Sequence, residues 1–300
     1  MKVLVWGLDK DYRDNKEWIE KNYDVEGYYD SNESKIVMKK GIHKKDLQDR
    51  INEFDLILVA GDPPSIVGEI VDNYNVPIEK IRVLFYELLK DDEEEITFFG
   101  ENSEDAVLLL LFEKLGLTMD KISYLEIGTN DPVRHNNSFL LSRLGARGVL
   151  VDPFPTVGEL AKKVRQNDRF INCVVSDKSK GNVTFYACAS SAFSSLNFEH
   201  HKQYEDKRLS NVREISVPMI GINELIDMCE VKPNVLLCDA EGEDEKIIRA
   251  IDYTKNQISV IMVETDHFDK GKESLYTFLK DKGYALFSRI KQNDIYYKKG

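Results

Sequence analysis

Carboxylates recur at the ends of short apolar runs in this chain. Ile122 to Ile127 is apolar apart from Tyr124, Ser123 and Glu126, and it leads into Gly128 and Asn130. Such a run suits a buried parallel strand, and Gly128 lets the backbone turn sharply and come close to a ligand. A second run, Gly148 to Asp152, also ends in an acid. In nucleotide-binding α/β folds, a carboxylate at the tip of the second strand accepts hydrogen bonds from ribose hydroxyls. The pair therefore suggests an adenosine-containing ligand. Taken alone, it fits two core strands capped by solvated acids better.

Three more runs repeat the pattern. Phe170 to Asp177 reads as a third strand closing on Ser176 and Asp177. Asn234 to Asp239 runs into Ala240, Glu241, Gly242, Glu243 and Asp244, and Ser259 to Glu264 is followed by Thr265, Asp266 and His267. Ligands of open α/β sheets bind at the carboxyl ends of the strands. The acids are thus expected to gather along one sheet edge.

From about Tyr124 to Lys299 the chain resembles FkbM-type methyltransferases, class I enzymes that use S-adenosylmethionine (SAM). The matching pieces are Glu126, Gly128 and Asn130 in the first loop, and Asp152-Pro153 after the second strand. Asn172 to Asp177 and the hairpin-like Gly181 to Tyr186 follow in order, then Asp239, Glu241, Gly242 and Asp244, and finally Gly283-Tyr284. Three positions depart from the family pattern. Pro132 stands where a second glycine is usual, Leu237 stands for a lysine, and His267 falls one place late.

The resemblance implies SAM as cofactor, with Glu126, Gly128 and Asn130 near its methionine end and Asp152 on its ribose. Ser176 and Asp177 would meet the adenine edge, and Asp239 would sit beside the transferred methyl with Glu241 two residues on. It also implies oxygen of a sugar or sugar nucleotide as acceptor. His267 suits a general base, because an ordinary imidazole titrates near neutrality. Alternatively Asp239, Glu264 and Asp266 would hold Mg²⁺, a hard cation that prefers oxygen ligands and acidifies a hydroxyl. Nitrogen or small-metabolite methylation in the same fold, and a SAM-binding scaffold without activity, remain open.

Composition narrows the partners. The 300 residues carry a net charge of −12, with 42% hydrophobic and 10% aromatic residues, enough for two cores. A pI near 5.1 argues against nucleic acid or an anionic membrane as main partner. No apolar run approaches a membrane span, and Met1 to Gly7 reads as the start of a strand rather than a signal peptide. Cys173, Cys188, Cys229 and Cys238 lack metal-ligand spacing and read as buried reduced thiols of a cytoplasmic protein. A homo-oligomer stays open.

The positioning elements fall into two α/β halves. Residues 1–95 alternate strands (Lys2 to Trp6, Val25 to Tyr29, Asp55 to Ala60, Ile81 to Phe85) with helices, which predicts a small parallel Rossmann-like accessory domain. Its first loop, Gly7 to Tyr12, is bulky and acidic and lacks the later glycines of a dinucleotide fingerprint. The charged run Lys90 to Glu95 marks the join, and Asn102 to Asp105 supplies capping chemistry for an apolar helix over Ala106 to Leu115. Residues 96–300 are expected to form a class I methyltransferase sheet, mostly parallel with an antiparallel last strand. His200 and His201 fall in a polar segment that reads as a loop, and His43 and His135 have no evident partners.

Overall fold

A computed structural model describes residues 1–38, 40–91, 97–188, 190–191, 194–196, 212–265 and 272–299. The chain divides into two compact units, Met1–Ile96 and Thr97–Gly300. Both are mixed α/β and built on mostly parallel sheets, a Rossmann-like arrangement. No described helix is long and apolar enough to cross a membrane.

In the first unit, β1 (Lys2–Trp6), β2 (Asp24–Tyr29), β3 (Leu56–Val59) and β4 (Ile81–Val83) lie parallel in the order β2-β1-β3-β4. Val3, Leu4 and Val5 are fully buried, as expected of a strand covered on both faces. The strand expected over Ile81 to Phe85 stops at Val83, and Leu84–Leu88 winds into a helix. Leu84 and Leu88, one turn apart, both pack on the core around Leu56 and Leu58. A helical repeat sets Leu84 and Leu88 on one face and Tyr86, also buried, on the opposite side, whereas a strand would put all three on one face.

The second unit contains β5 (Ser123–Ile127), β6 (Arg147–Asp152), β7 (Arg169–Asn172), β8 (Val174–Ser176), β9 (Lys180–Ala187) and β10 (Arg213–Gly221). It continues with β11 (Val235–Cys238), β12 (Val260–Glu264), β13 (Tyr284–Ile290) and β14 (Asn293–Lys298). Seven of these form one sheet in the order β13-β14-β12-β11-β5-β6-β7. Its central strands are parallel, and β14 runs antiparallel to both neighbours. The three others form a small sheet, β8-β10-β9.

The third strand is therefore not continuous over Phe170 to Asp177. The Asn172 side-chain amide donates to the carbonyls of Asp152 and Pro153, at 2.9 and 2.8 Å, and so engages the backbone just where β6 ends. Beyond Cys173 the chain changes sheets. Val174 joins Phe154, Phe185 and Val217 in a separate cluster under the small sheet.

Alternation along β5 divides its side chains between the two sheet faces. Leu125 and Ile127 pack with Ile222, Ile226, Ile247 and Leu275. Tyr124 packs on the other face with Leu108, Leu111 and Phe112 of the helix Glu104–Leu115. Strand order reverses between β5 and β11, because successive strands step outward to β6 and β7 on one side and to β12 on the other. Loops that diverge at such a switch point leave a crevice at the carboxyl ends of the strands.

The crevice has a tight floor. Gly128 follows β5 at φ +79°, and a Cβ placed there would lie 1.7 Å from the carbonyl oxygen of Asp239. Only glycine allows this approach, whereas Gly242, also at positive φ (+102°), has nothing within 4 Å of its Cβ position. Gly128→Ala should therefore cost more than about 3 kcal/mol, against about 1–2 kcal/mol for Gly242→Ala, where only the backbone conformation is penalised. Denaturant melts of the two variants check this, and equal losses would remove the steric argument.

Candidate active site

A cavity of about 250 Å³ opens at this switch point. The sheet order sets the sequence of its walls: Glu264 at the end of β12, Asp239 just past β11, Gly128 past β5, and Asp152 at the end of β6. Adjacent strands are spaced by about 4.8 Å, so Glu264 and Asp152 stand roughly 14 Å apart along the edge.

Asp152 is buried, and its two oxygens accept the backbone N–H groups of Phe154 and Asn130, each at 2.8 Å. Burial pushes its carboxyl up to about 7, against the pull of those two bonds and with Glu126 adding to the rise. Beside it the cavity is apolar, lined by Phe154, Val174, Val175, Phe185 and Leu196. Asn130 sits at φ +52° and accepts a 2.6 Å hydrogen bond from Ser191.

Glu126 is held from behind. Its Oε2 accepts from the Asn136 amide at 3.0 Å and the Ser138 hydroxyl at 2.9 Å, with Arg165 at 3.7 Å. The Arg165 side chain has no solvent exposure. It donates to Asp168 (2.7 Å), Tyr124 (2.7 Å), Ser138 (2.7 Å), Asn136 (2.9 Å) and the Pro132 carbonyl (3.2 Å). Burial raises the Glu126 carboxyl, while Arg165 and the two hydrogen bonds oppose that rise. A buried charge is tolerable only when its bonding capacity is met in this way.

Asp239 differs, since its Oδ1 is buried with no hydrogen-bond partner among the described residues. Burial, then the neighbouring Glu264, Glu241 and Asp244, hold its carboxyl well above the usual carboxylate range. The turn after it is closed by Asp244, which accepts from the backbone N–H groups of Ala240 (2.9 Å) and Gly242 (3.2 Å). That closure sets Glu241 in the left-handed region, φ +47°. His135, also on the wall, has φ +54°. Non-glycine residues in this region cost energy and concentrate where function requires a particular side-chain direction.

Of the residues picked out by sequence, Glu126, Gly128, Asn130, Asp152, Asp239, Glu241 and Glu264 line one cavity. Ser176 and Asp177 do not line it. Ser176 donates instead to Glu243, and Asp177 is exposed. The adenine role expected of them falls on positions outside the lining, although Val174 and Val175, just before them on β8, do line the cavity. Asp266, His267, His200 and His201 lie outside the described residues. Among the described residues no group of three histidine, cysteine or acidic side chains is placed to hold a metal ion.

The structure adds walls that sequence reading missed. Glu101 and Gln292 join at 2.8 Å across 191 positions, and no local pattern announces such a pair. Asn136 and Ser138 had a fainter signal, as small polar residues just before the apolar turn Phe139–Arg143. The four cysteines are buried and free, and Cys173 and Cys238 border the cavity. Burial pushes the Cys173 thiol up to about 12, so it is not poised to react as a thiolate.

No protein-family model and no curated protein matches the chain. Among solved structures, a crystal structure of monomeric WbdD matches with a TM-score of 0.37 and 13% identity, over 71% of this chain. The match covers 48% of the WbdD chain, so this chain spans about half of its length. A likeness of that size carries no functional argument, and the fold assignment rests on strand order and register.

Proposed function

We propose that the second unit is a SAM-dependent methyltransferase, of the FkbM type its motifs resemble, acting on a hydroxyl of a sugar-like acceptor. The observation that carries this reading is the charge of the cavity. Glu101, Glu126, Asp152, Asp239, Glu241, Glu243 and Glu264 line it, and no lysine or arginine does so among the described residues. A dinucleotide at a switch point needs N–H donors and positive charge around its pyrophosphate. This lining offers a pyrophosphate no cation, and its acidic side chains suit a ligand that carries a sulfonium and an ammonium.

The residues present fit SAM. Asp152 stands where a ribose is met, and each of its oxygens keeps a lone pair beyond the backbone bond it accepts. The apolar walls at Phe154, Val174 and Phe185 suit an adenine ring. All three contacts holding Glu126 use Oε2, which leaves Oε1 to accept from an ammonium. When bound, SAM supplies a methyl carbon made electrophilic by its sulfonium. Asp239 and Glu264, at the tips of adjacent strands on the cavity wall, are then the carboxylates to take the acceptor's proton. His267 is an alternative base. Mg²⁺ is another route: Asp239, Glu264 and Asp266 would hold it and it would acidify the acceptor hydroxyl, and Asp239 Oδ1, buried with no hydrogen-bond partner among the described residues, supports that reading. The sugar acceptor rests on the family resemblance.

Asp152→Asn is expected to weaken SAM binding roughly tenfold or more, since a charge-assisted hydrogen bond is worth about 1.5–3 kcal/mol. It should also change the pH dependence of stability. In the folded chain this carboxyl titrates near 7 rather than at 3.8, so the native state keeps the proton longer. Stability is then full below about 4 and declines as pH rises through about 7. Calorimetry and melts from pH 4.5 to 8 should show both effects in the wild type and a flatter stability profile in the variant. An unchanged affinity together with an unchanged profile would take Asp152 out of the site.

Labelled SAM offered with a panel of free and nucleotide-linked sugars tests the activity itself. Transfer should fall roughly 10²–10⁴-fold in Asp239→Asn. Inhibition by EDTA with rescue by Mg²⁺ would assign Asp239 to the metal, and indifference to EDTA would assign it to the proton. Full transfer by the variant would misplace the active site.

A further inference from the structure

One end of the cavity is left over once SAM is assigned. The adenosine-matching features, Asp152 and the Phe154–Phe185 walls, lie at β6 and the small sheet, and Glu126 with Gly128 marks β5. The remaining wall is built from the β11, β12 and β14 side. There the Thr265 N–H donates to the Gln292 carbonyl at 2.8 Å, which sets the β13–β14 turn beside the tip of β12. Gln292 in turn donates its side-chain amide to Glu101 at 2.8 Å.

Acceptors dominate this wall. One donor hydrogen of the Gln292 amide points to Glu101, and the buried oxygens Asp239 Oδ1 and Asn137 Oδ1, both on the cavity, have no hydrogen-bond partner among the described residues. Buried acceptors without a donor are costly, and a bound molecule that brings hydroxyl or ammonium hydrogens removes that cost. A phosphate brings further acceptors and two negative charges, and it meets Glu101, Glu241 and Glu264 with no cation among the described lining residues. Like charges set against each other at a binding site cost several kcal/mol.

We propose that Glu101, Glu241, Glu264 and Gln292 form the acceptor wall, and that it selects an uncharged or amine-bearing polyhydroxyl acceptor over its phosphorylated or nucleotide-linked form. The proposal rests on the cofactor reading above and narrows its substrate class. Glu101 and Gln292 act there as specificity-determining residues, because the wall on that side depends on their mutual bond.

The test uses the full chain loaded with S-adenosylhomocysteine, which cannot transfer a methyl. Hexoses are titrated in matched forms: free, as the 2-amino sugar, as the 1-phosphate, and linked to a nucleoside diphosphate. The best free or amino form should bind at least roughly tenfold more tightly than its phosphorylated counterparts. Glu264→Gln and Glu101→Gln should each narrow that ratio, and raising the salt should narrow it further. Equal or tighter binding of the phosphorylated forms, a ratio unmoved by both variants, or no binding by any form would overturn the proposal. Affinity for S-adenosylhomocysteine is measured in the same samples, so its loss marks a failure of the cofactor reading instead.

Discussion

The contact between Gly128 and the Asp239 carbonyl is the constraint on which the site depends. Two strand tips on either side of a switch point approach so closely that no β-carbon fits between them. The Asp239 N–H donates to the Ile127 carbonyl at 3.0 Å, and the Gly128 N–H donates to Val151 at 2.9 Å, so three adjacent strands are tied at their ends. Once they are tied, the acids that end β6, β11 and β12 have to share one crevice. Burial raises the carboxyls of Asp152 and Asp239, with Glu126 adding to the first rise and Glu264, Glu241 and Asp244 to the second.

A second device lies behind that edge. Arg165 comes from the helix end after Pro155–Val164 and spends its donors on Tyr124, Asn136, Ser138, Asp168 and the Pro132 carbonyl. The same Asn136 and Ser138 hold Glu126. One buried cation thus fixes the loop after β5 without entering the cavity. This separation lets the cavity stay negative while its nearest buried acid remains compensated.

The sheet and much of its acidic edge were legible because both follow from local pattern. Apolar β-branched runs ending in acids announce strands and their tips, and most of those acids do line the cavity. What escaped depends on distant partners. The break after Asn172 arises because its amide meets the carbonyls of Asp152 and Pro153, and the diverted strand then lines the cavity with Val174 and Val175 rather than with Ser176 and Asp177. The apolar run Ile81 to Phe85 reads as one strand, but Leu84 and Leu88 meet the same core one helical turn apart, and the chain winds from Leu84 on. Glu101 and Gln292 are neighbours only because β14 returns antiparallel beside β12.

The most direct measurement is a crystal structure of the full chain with S-adenosylhomocysteine. The account predicts the ligand along the strand ends of the second unit, with ribose hydroxyls within hydrogen-bond distance of Asp152 and the sulfur near Asp239. The acceptor wall at Glu101 and Gln292 should stay uncovered by it. Ligand bound away from Asp152, or only in the first unit, would contradict the account.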